Sequence, residues 1–512
     1  MRRHTLGDLL RRTAARLPDK PAVICGDVTW TYRALDQVVN RLANGLAARG
    51  VELGDRVAIL ARNSHAFVAL RFALARLGAV IVPINFMFNP DEIAYVVGHA
   101  GARWLAVGPD LVAPARAALA KLDPAPALLW LPGEAQGAPP DSVLDFARVL
   151  ADDDREPACP ALDGRALAQI VYTSGTEARP KGAMMTHDAL LWEYVSCVIE
   201  GEIAEADRVL HALPLYHCAQ LDVFLGPAIY VGATNVITAA PTPDNLLDLF
   251  VRHAITSFFA PPSVWIALLR APRLDPTALA LTKGYYGASI MPVEVLRELA
   301  ARLPAVRLWN FYGQTEIAPL ATVLRPEDQL RKAGSAGKPV LNVETRVVDD
   351  AMRDVAVGEV GEIVHRSPQL LTGYFHDDER TAAAFAGGWF HSGDLATVDA
   401  EGYITVVDRK KDMIKTAGEN VASREVEEAI YQLAGVSEVA VIGLPDPYWV
   451  EAVTAVVVGK AGHALDEAAV IAHCKARLAP FKAPKRVVFV DALPKNPSGK
   501  LLKRELRETL AP

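Results

Sequence analysis

Residues 172–187 read YTSGTEARPKGAMMTH and gather hydroxyls, a glycine and a lysine in one short stretch. The preceding run ALAQIVY (166–172) has the pattern of a strand. The loop after it offers the hydroxyls of Thr173, Ser174 and Thr176, the backbone N–H groups freed by Gly175, and the point charge of Lys181. A concave row of amides and hydroxyls suits a polyphosphate, and Pro180 stiffens the approach to the lysine. The lysine precedes the last glycine, so this is not the strand–loop–helix nucleotide loop, whose pattern is G-x-x-x-x-G-K-[ST].

Further stretches complement it. NFYGQTE (310–316) follows the apolar run VRLWNF. It supplies the flat face of Tyr312 and the hard oxygens of Thr315 and Glu316, the latter a magnesium ligand by chemistry. WFHSGDLA (389–396) sets Asp394 behind a glycine, where a carboxylate can accept ribose hydroxyls. LPKNPSGKLLKREL (493–506) carries Lys500 on a Pro/Ser/Gly-rich turn before a helix.

These side chains need a scaffold. RVAIL (56–60), AVIVPI (79–84), ATNVIT (233–238) and TSFFA (256–260) alternate with the helical patterns AFVALRFALARLG, PDNLLDLFVRHA, SVWIALLRA and PVEVLRELAARL. That alternation predicts α/β layers with buried parallel strands, whose ligands sit past the strands' carboxyl ends. From about residue 340 the texture becomes strands punctuated by glycine with no helices between them, a β-rich subdomain. After Arg409 a small α+β unit follows. Its first helix, SREVEEAIYQLAG, has Ser423 as N-cap and Gly435 as its stop. The expected domains are 1–408 and a mobile 409–512, joined at VVDRKKDMIKTAGEN.

The chain has 512 residues, 51% of them hydrophobic and 22% charged, the composition of a globular protein of more than one domain. A net charge of −7 argues against a nucleic-acid partner. Five dispersed cysteines support neither a disulfide framework nor a zinc site and fit a reducing cytoplasm. No apolar run is long enough to span a bilayer. The arginine-rich start, MRRHTLGDLLRRTAARLP, reads as a first helix packing Leu6, Leu9, Leu10 and Leu17 on the core, with an organelle transit peptide as the alternative.

Taken together and in order, the motifs resemble the adenylate-forming superfamily, which includes acyl-CoA synthetases. The common loop T-S-G-T-T-G-x-P-K-G is varied here by Glu177-Ala178-Arg179. The resemblance implies that a carboxylate attacks the α-phosphorus of ATP, that pyrophosphate leaves, and that the acyl group passes from AMP to CoA. Lys500, Lys181 and Thr176 would be catalytic. Lys500, Lys181 and Thr173 would stabilise developing charge with magnesium, each contributing about 10²–10³ in rate, roughly 3–4 kcal/mol. Thr173 and Glu316 resemble the magnesium-associated pair. Ser174, Gly175 and Thr176 would grip the β- and γ-phosphates. Gly287, Ala288 and Ser289 would lie on adenine beside Asn310, Phe311, Tyr312 and Gly313. Gln314 and Thr315 would line phosphate and carboxylate, and Asp394 and Arg409 the ribose. Lys411 resembles the hinge of a rotating small domain. Lys415 and Asn420 would serve thioester formation, beside a pantetheine tunnel near Gly418.

HALPLYHCAQLDVFLG (211–226) resembles the segment bordering the acid pocket and places His217 beside the carboxylate. Amino-acid-activating relatives carry an Asp here, and Asp222 stands further on. Cys218, Leu221, Phe259, Tyr286 and Trp309, with Trp192 and Tyr285, are the pocket candidates. Their bulk suits an aliphatic or aromatic acid. A medium- or long-chain fatty acid is the first expectation and an aryl or alicyclic acid the second. An acyl-AMP ligase loading a carrier protein is the rival. The implied partners are ATP, magnesium, CoA and a small carboxylic acid; a homodimer is left open.

Overall fold

The structure is a computed structural model. It describes residues 4–135, 137–141, 143–158, 162–173, 180–289, 291–410, 412–416, 419–460, 462–463, 465–496 and 501–511. Two large sheets form the body. One runs, in spatial order, through Lys338–Pro339, Leu320–Leu324, Arg307–Gly313, Lys283–Gly287, Ser257–Phe259, Arg208–His211, Thr234–Ile237, Pro21–Cys25 and Val28–Thr31. Its six central strands, from Arg307–Gly313 to Pro21–Cys25, are parallel. The second runs through Gly373–Tyr374, Lys181–Thr186, Leu167–Thr173, Val80–Pro83, Arg56–Leu60, Trp104–Val107, Ala127–Trp130 and Leu144–Asp145. It is parallel except at Lys181–Thr186 and Gly373–Tyr374.

The continuous apolar runs belong to these doubly covered strands: Val57 to Leu60 and Val80 to Val82 are all buried. The helix His65–Leu77 is buried along its whole length, capped by Ser64 and stopped by Gly78 in the left-handed conformation. The first helix, Leu6–Arg16, opens with a Thr5/Asp8 capping box and buries Leu6, Leu9 and Leu10. Among the described residues no helix is long and apolar enough to cross a membrane.

A third, antiparallel sheet joins Glu344–Val348, Gly361–Arg366, Phe390–Val398 and Ile404–Arg409. This β-rich region also holds a short helix, Asp378–Ala384. Its sequence, DERTAAA, has no apolar stripe, and none of its residues is buried, so periodicity does not reveal it.

The fourth sheet is drawn from residues beyond 413: Glu419–Val421, Ile414–Thr416, Val450–Gly459, Val436–Asp446 and Arg486–Phe489. The helix Ser423–Tyr431 packs on it. Ser423 is the first helical residue and not the cap, a role taken by Ala422. The Ser423 amide and hydroxyl both donate to Asp408 Oδ2 at 2.7 Å, which ties the helix start to the third sheet. Beside it the Arg424 guanidinium donates to the carbonyls of Val406 and Gly334. In the Val450–Gly459 strand Val450 is exposed and holds φ at 70°, a conformation β-branched residues rarely adopt.

Candidate active site

Strands from both sheets end at one cleft of 360 Å3. Thr173, Phe259, Gly287 and Phe311 to Gly313 reach it from four strand ends. His391 to Asp394 and Arg409 to Lys410 close it from the third sheet. Gly313 stands where a Cβ would meet the Pro319 carbonyl at 1.8 Å, so the strand end passes its neighbour only as glycine.

Thr173 and Lys181 face one another across an antiparallel strand pair. The connection between them thus joins two strands, unlike the strand-to-helix nucleotide loop, in keeping with the order of lysine and glycine. Ser174, Gly175 and Thr176 lie outside the described residues, as do Lys411, Gly418 and Lys500. Lys181 Nζ donates to the Tyr374 hydroxyl at 2.8 Å and stands 3.5 Å from Glu316 Oε1; the Tyr374 hydroxyl donates to that oxygen at 3.0 Å. Burial, with the Glu316 carboxylate next, raises the Tyr374 phenol and keeps it a donor. The Thr173 hydroxyl and Gln314 Nε2 are buried in the cleft lining with no hydrogen-bond partner among the described residues. A hydroxyl without a partner among the described residues and a carboxylate lining the same cleft are hard-oxygen donors of the kind that fit magnesium.

Tyr312 donates to Asp394 Oδ2 at 2.7 Å, and Arg409 Nε stands 3.5 Å from Asp394 Oδ1. Burial, then the Asp394 charge, raises the Tyr312 phenol well above its usual range. Asp394 and Arg409 are paired residues of adjacent strands. Ala288 lines the cleft with φ at 62°, while Ser289 is exposed outside its lining. Asn310, expected beside adenine, is buried and donates to the Ser335 carbonyl at 3.0 Å.

On the other side, His217, Cys218, Ala219, Val223, Phe224 and Phe259 line an apolar recess. His217 Nδ1 accepts the Ala219 amide at 3.2 Å, so the neutral ring carries its proton on Nε2. Cys218 Sγ lies 3.3 Å from Thr315 Oγ1, and burial raises its thiol. Phe224 stacks between Phe259 (centroids 4.4 Å, 17°) and Phe311 (5.8 Å, 15°).

Other pocket candidates pack elsewhere. Leu221 is buried in the main core. Tyr286 donates its hydroxyl to Gln329 in a separate core, Trp309 stacks on Tyr285 5.1 Å away, and Tyr285 donates to the Gly201 carbonyl. All three aromatics precede their strand ends, where side chains meet covering layers and not the cleft. Trp192 is exposed on a helix. Asp222 is fully buried against Arg71 and is no partner for a substrate ammonium. Lys415 and Asn420 are exposed, paired across two short strands outside the cleft lining, and the Lys415 amide donates to Glu451.

The motifs did not mark Tyr374, His391, Lys410, Val223 or Phe224. Phe224 lies within the HALPLYHCAQLDVFLG segment and could have been read there. Tyr374 has no signal in residue type; a two-residue strand paired to Met184 and Ala183 brings it in.

Comparison with known proteins decides the kinship. The AMP-binding enzyme model matches residues 10–375, and the AMP-binding enzyme C-terminal domain model matches 425–500. The chain belongs to the AMP-binding enzyme family. Within the adenylate-forming superfamily it is an AMP-forming acid–CoA ligase. The ligase is 39% identical to a feruloyl-CoA synthase of Amycolatopsis sp. over 99% of both chains. It is 35% identical to the long-chain-fatty-acid–CoA ligase FadD13 of Mycobacterium tuberculosis over 98% of both. It superposes on the crystal structure of ATP-bound MatB from Rhodopseudomonas palustris with a TM-score of 0.88, 31% identity and 98% coverage of each chain.

Proposed function

We propose that the ligase activates a compact, ring-bearing carboxylic acid and transfers it to CoA in the cytoplasm. The observation that carries the ring is the Phe259–Phe224–Phe311 stack. Its three rings line the cleft beside His217 and put aromatic bulk where a long alkyl chain would need a passage. Similarity to a feruloyl-CoA synthase supports the same reading. Similarity to FadD13 favours a second one, a fatty acid.

In the first half-reaction a carboxylate oxygen attacks the α-phosphorus of ATP, the bond to the bridging oxygen breaks, and pyrophosphate leaves. Tyr312 offers its ring to adenine, and Asp394 and Arg409 hold the ribose. Lys181 places positive charge against the phosphates, and the His217 Nε2–H orients the acid. Thr173 and Glu316 would hold magnesium, which when bound neutralises charge on the polyphosphate. In the second, the CoA sulfur attacks the acyl carbonyl and AMP leaves. Lys500 serves the first step, and Lys415 and Asn420 the second. Residues 409–512 rotate about Lys411 between them. The exposure of Lys415 and Asn420 away from the cleft is consistent with such a rotation.

A pyrophosphate-release screen over acids graded in length and ring content, with and without CoA, tests this. Turnover greatest with aryl acids and completed only with CoA is expected. A preference for long alkyl acids would select the second reading, and indifference to CoA the acyl-AMP ligase.

A further inference from the structure

The residues walling the recess on one side, Ala219, Val223 and Phe224, all lie on one seven-residue π-helix, Ala219–Leu225. The amide of Gly226 donates to the Leu221 carbonyl five residues back. That turn decides where Phe224 points. In an α-helix, at about 100° per residue, Phe224 would stand roughly 140° from Ala219. With i→i+5 bonding, at about 80° per residue, the separation falls to roughly 40°. Only the wider turn brings Ala219, Val223 and Phe224 to one face.

A π turn is less favourable than a continued α-helix and persists where its surroundings require it. Here the requirement is a buried carboxylate. Asp222 Oδ1 accepts Arg71 Nη2 at 2.8 Å and the Tyr194 hydroxyl at 3.2 Å; Oδ2 accepts Gln169 Nε2 at 2.7 Å. The Arg71 and Asp222 side chains are 3% and 0% exposed. The donors come from the buried helix His65–Leu77, the helix His187–Glu200 and the strand Leu167–Thr173. Tyr194 also lies against the end of the turn, where a Cβ on Gly226 would meet its Cζ at 2.2 Å. A buried ion pair is weak as a source of stability and better suited to fixing one arrangement among several.

We propose that Asp222, held by Arg71, Gln169 and Tyr194, is a positioning residue for acid selectivity. It locks the π turn, and the turn holds Phe224 in the stack that shapes the recess. This rests on the acid-pocket reading above.

Tyr194→Phe and Gln169→Leu each delete one donor to Asp222; Arg71→Met with Asp222→Leu replaces the pair by apolar side chains. The expected result is a rise of about tenfold in KM for the preferred acid, with KM for ATP unchanged and selectivity among ring sizes relaxed. Crystal structures of the variants should show the Gly226–Leu221 bond lost and Phe224 displaced. Folded variants with wild-type acid KM and an intact π turn would overturn the proposal. If the double variant does not fold, Tyr194→Phe decides between these outcomes. A wild type inert with every acid would sink the substrate reading, and the Tyr194→Phe structure would still test the turn.

Discussion

Lys181 and Glu316 stand 3.5 Å apart in the cleft lining, with the Tyr374 hydroxyl bonded to both. In the proposed mechanism Lys181 meets phosphate and Glu316 a metal, and the Tyr374 phenol holds the two in register. Tyr374→Phe keeps the ring and deletes the bridge. A hydrogen bond to a charged group contributes about 1.5–3 kcal/mol. Calorimetric titration with magnesium–ATP should show affinity reduced at least about tenfold, with KM for the acid unchanged. Unaltered nucleotide affinity would refute the role.

Phe259 is one face of the aromatic stack, and Phe259→Ala opens the recess behind Phe224. Longer or bulkier acids should gain in kcat/KM relative to the preferred one. The cavity should cost about 3 kcal/mol or more in stability by denaturant titration. A folded variant with an unchanged acid profile would show that the stack does not bound the substrate.

Burial drives His65 and His211 down to about 4 and His187 and His365 to about 3. His211 shows why. Its Nδ1 accepts Gln220 Nε2 at 2.7 Å, and its Nε2 donates to Asn235 Oδ1 at 2.9 Å. A second ring proton would displace the first bond. The unfolded chain takes up these protons first, near pH 6.5, so stability rises with pH across this window. The full contribution is present above pH 6.5. It is lost as pH falls toward 4, at roughly 1.4 kcal/mol per histidine per unit. Scanning calorimetry from pH 8 to pH 5 should show the melting temperature falling below pH 6.5. A flat profile would contradict the neutral assignment.

Val450 holds φ at 70° on an exposed strand end. Left-handed backbone costs a side-chain-bearing residue roughly 1–2 kcal/mol, and glycine's extra chain entropy offsets about 0.5–1 of that. Val450→Gly should stabilise the C-terminal unit by up to about 1.5 kcal/mol. Urea denaturation followed by hydrogen exchange in residues 436–459 measures it; a destabilised strand pair would rule out strain at this position.

Periodicity made most of the scaffold legible, because strands buried on both faces and amphipathic helices leave different spacings. The helix Asp378–Ala384 escaped, since alanines without an apolar stripe carry no period. The cleft was legible where hydroxyls, glycines and carboxylates follow strand runs, as at Thr173, Gly313 and Asp394. Apolar side chains were harder. Tyr286 and Trp309 have the chemistry of a pocket but stand short of their strand ends, and letters do not give depth along a strand. The segment holding Phe224 was legible but its direction was not, because a π turn has no spacing signature; Tyr374 was hidden by a pairing made across nearly two hundred residues of chain.

If residues 409–512 rotate as proposed, the Arg424 clasp must open. Its guanidinium is half-buried, held by the carbonyls of Val406 and Gly334, and burial lowers its pKa despite the neighbouring Glu428, Glu427 and Asp408 charges. Undocking would return that cation to water and recover hydration forgone in the closed form. Because carbonyl dipoles and not carboxylates accept its protons, the latch should respond weakly to ionic strength: a catch sprung by solvent and largely indifferent to salt.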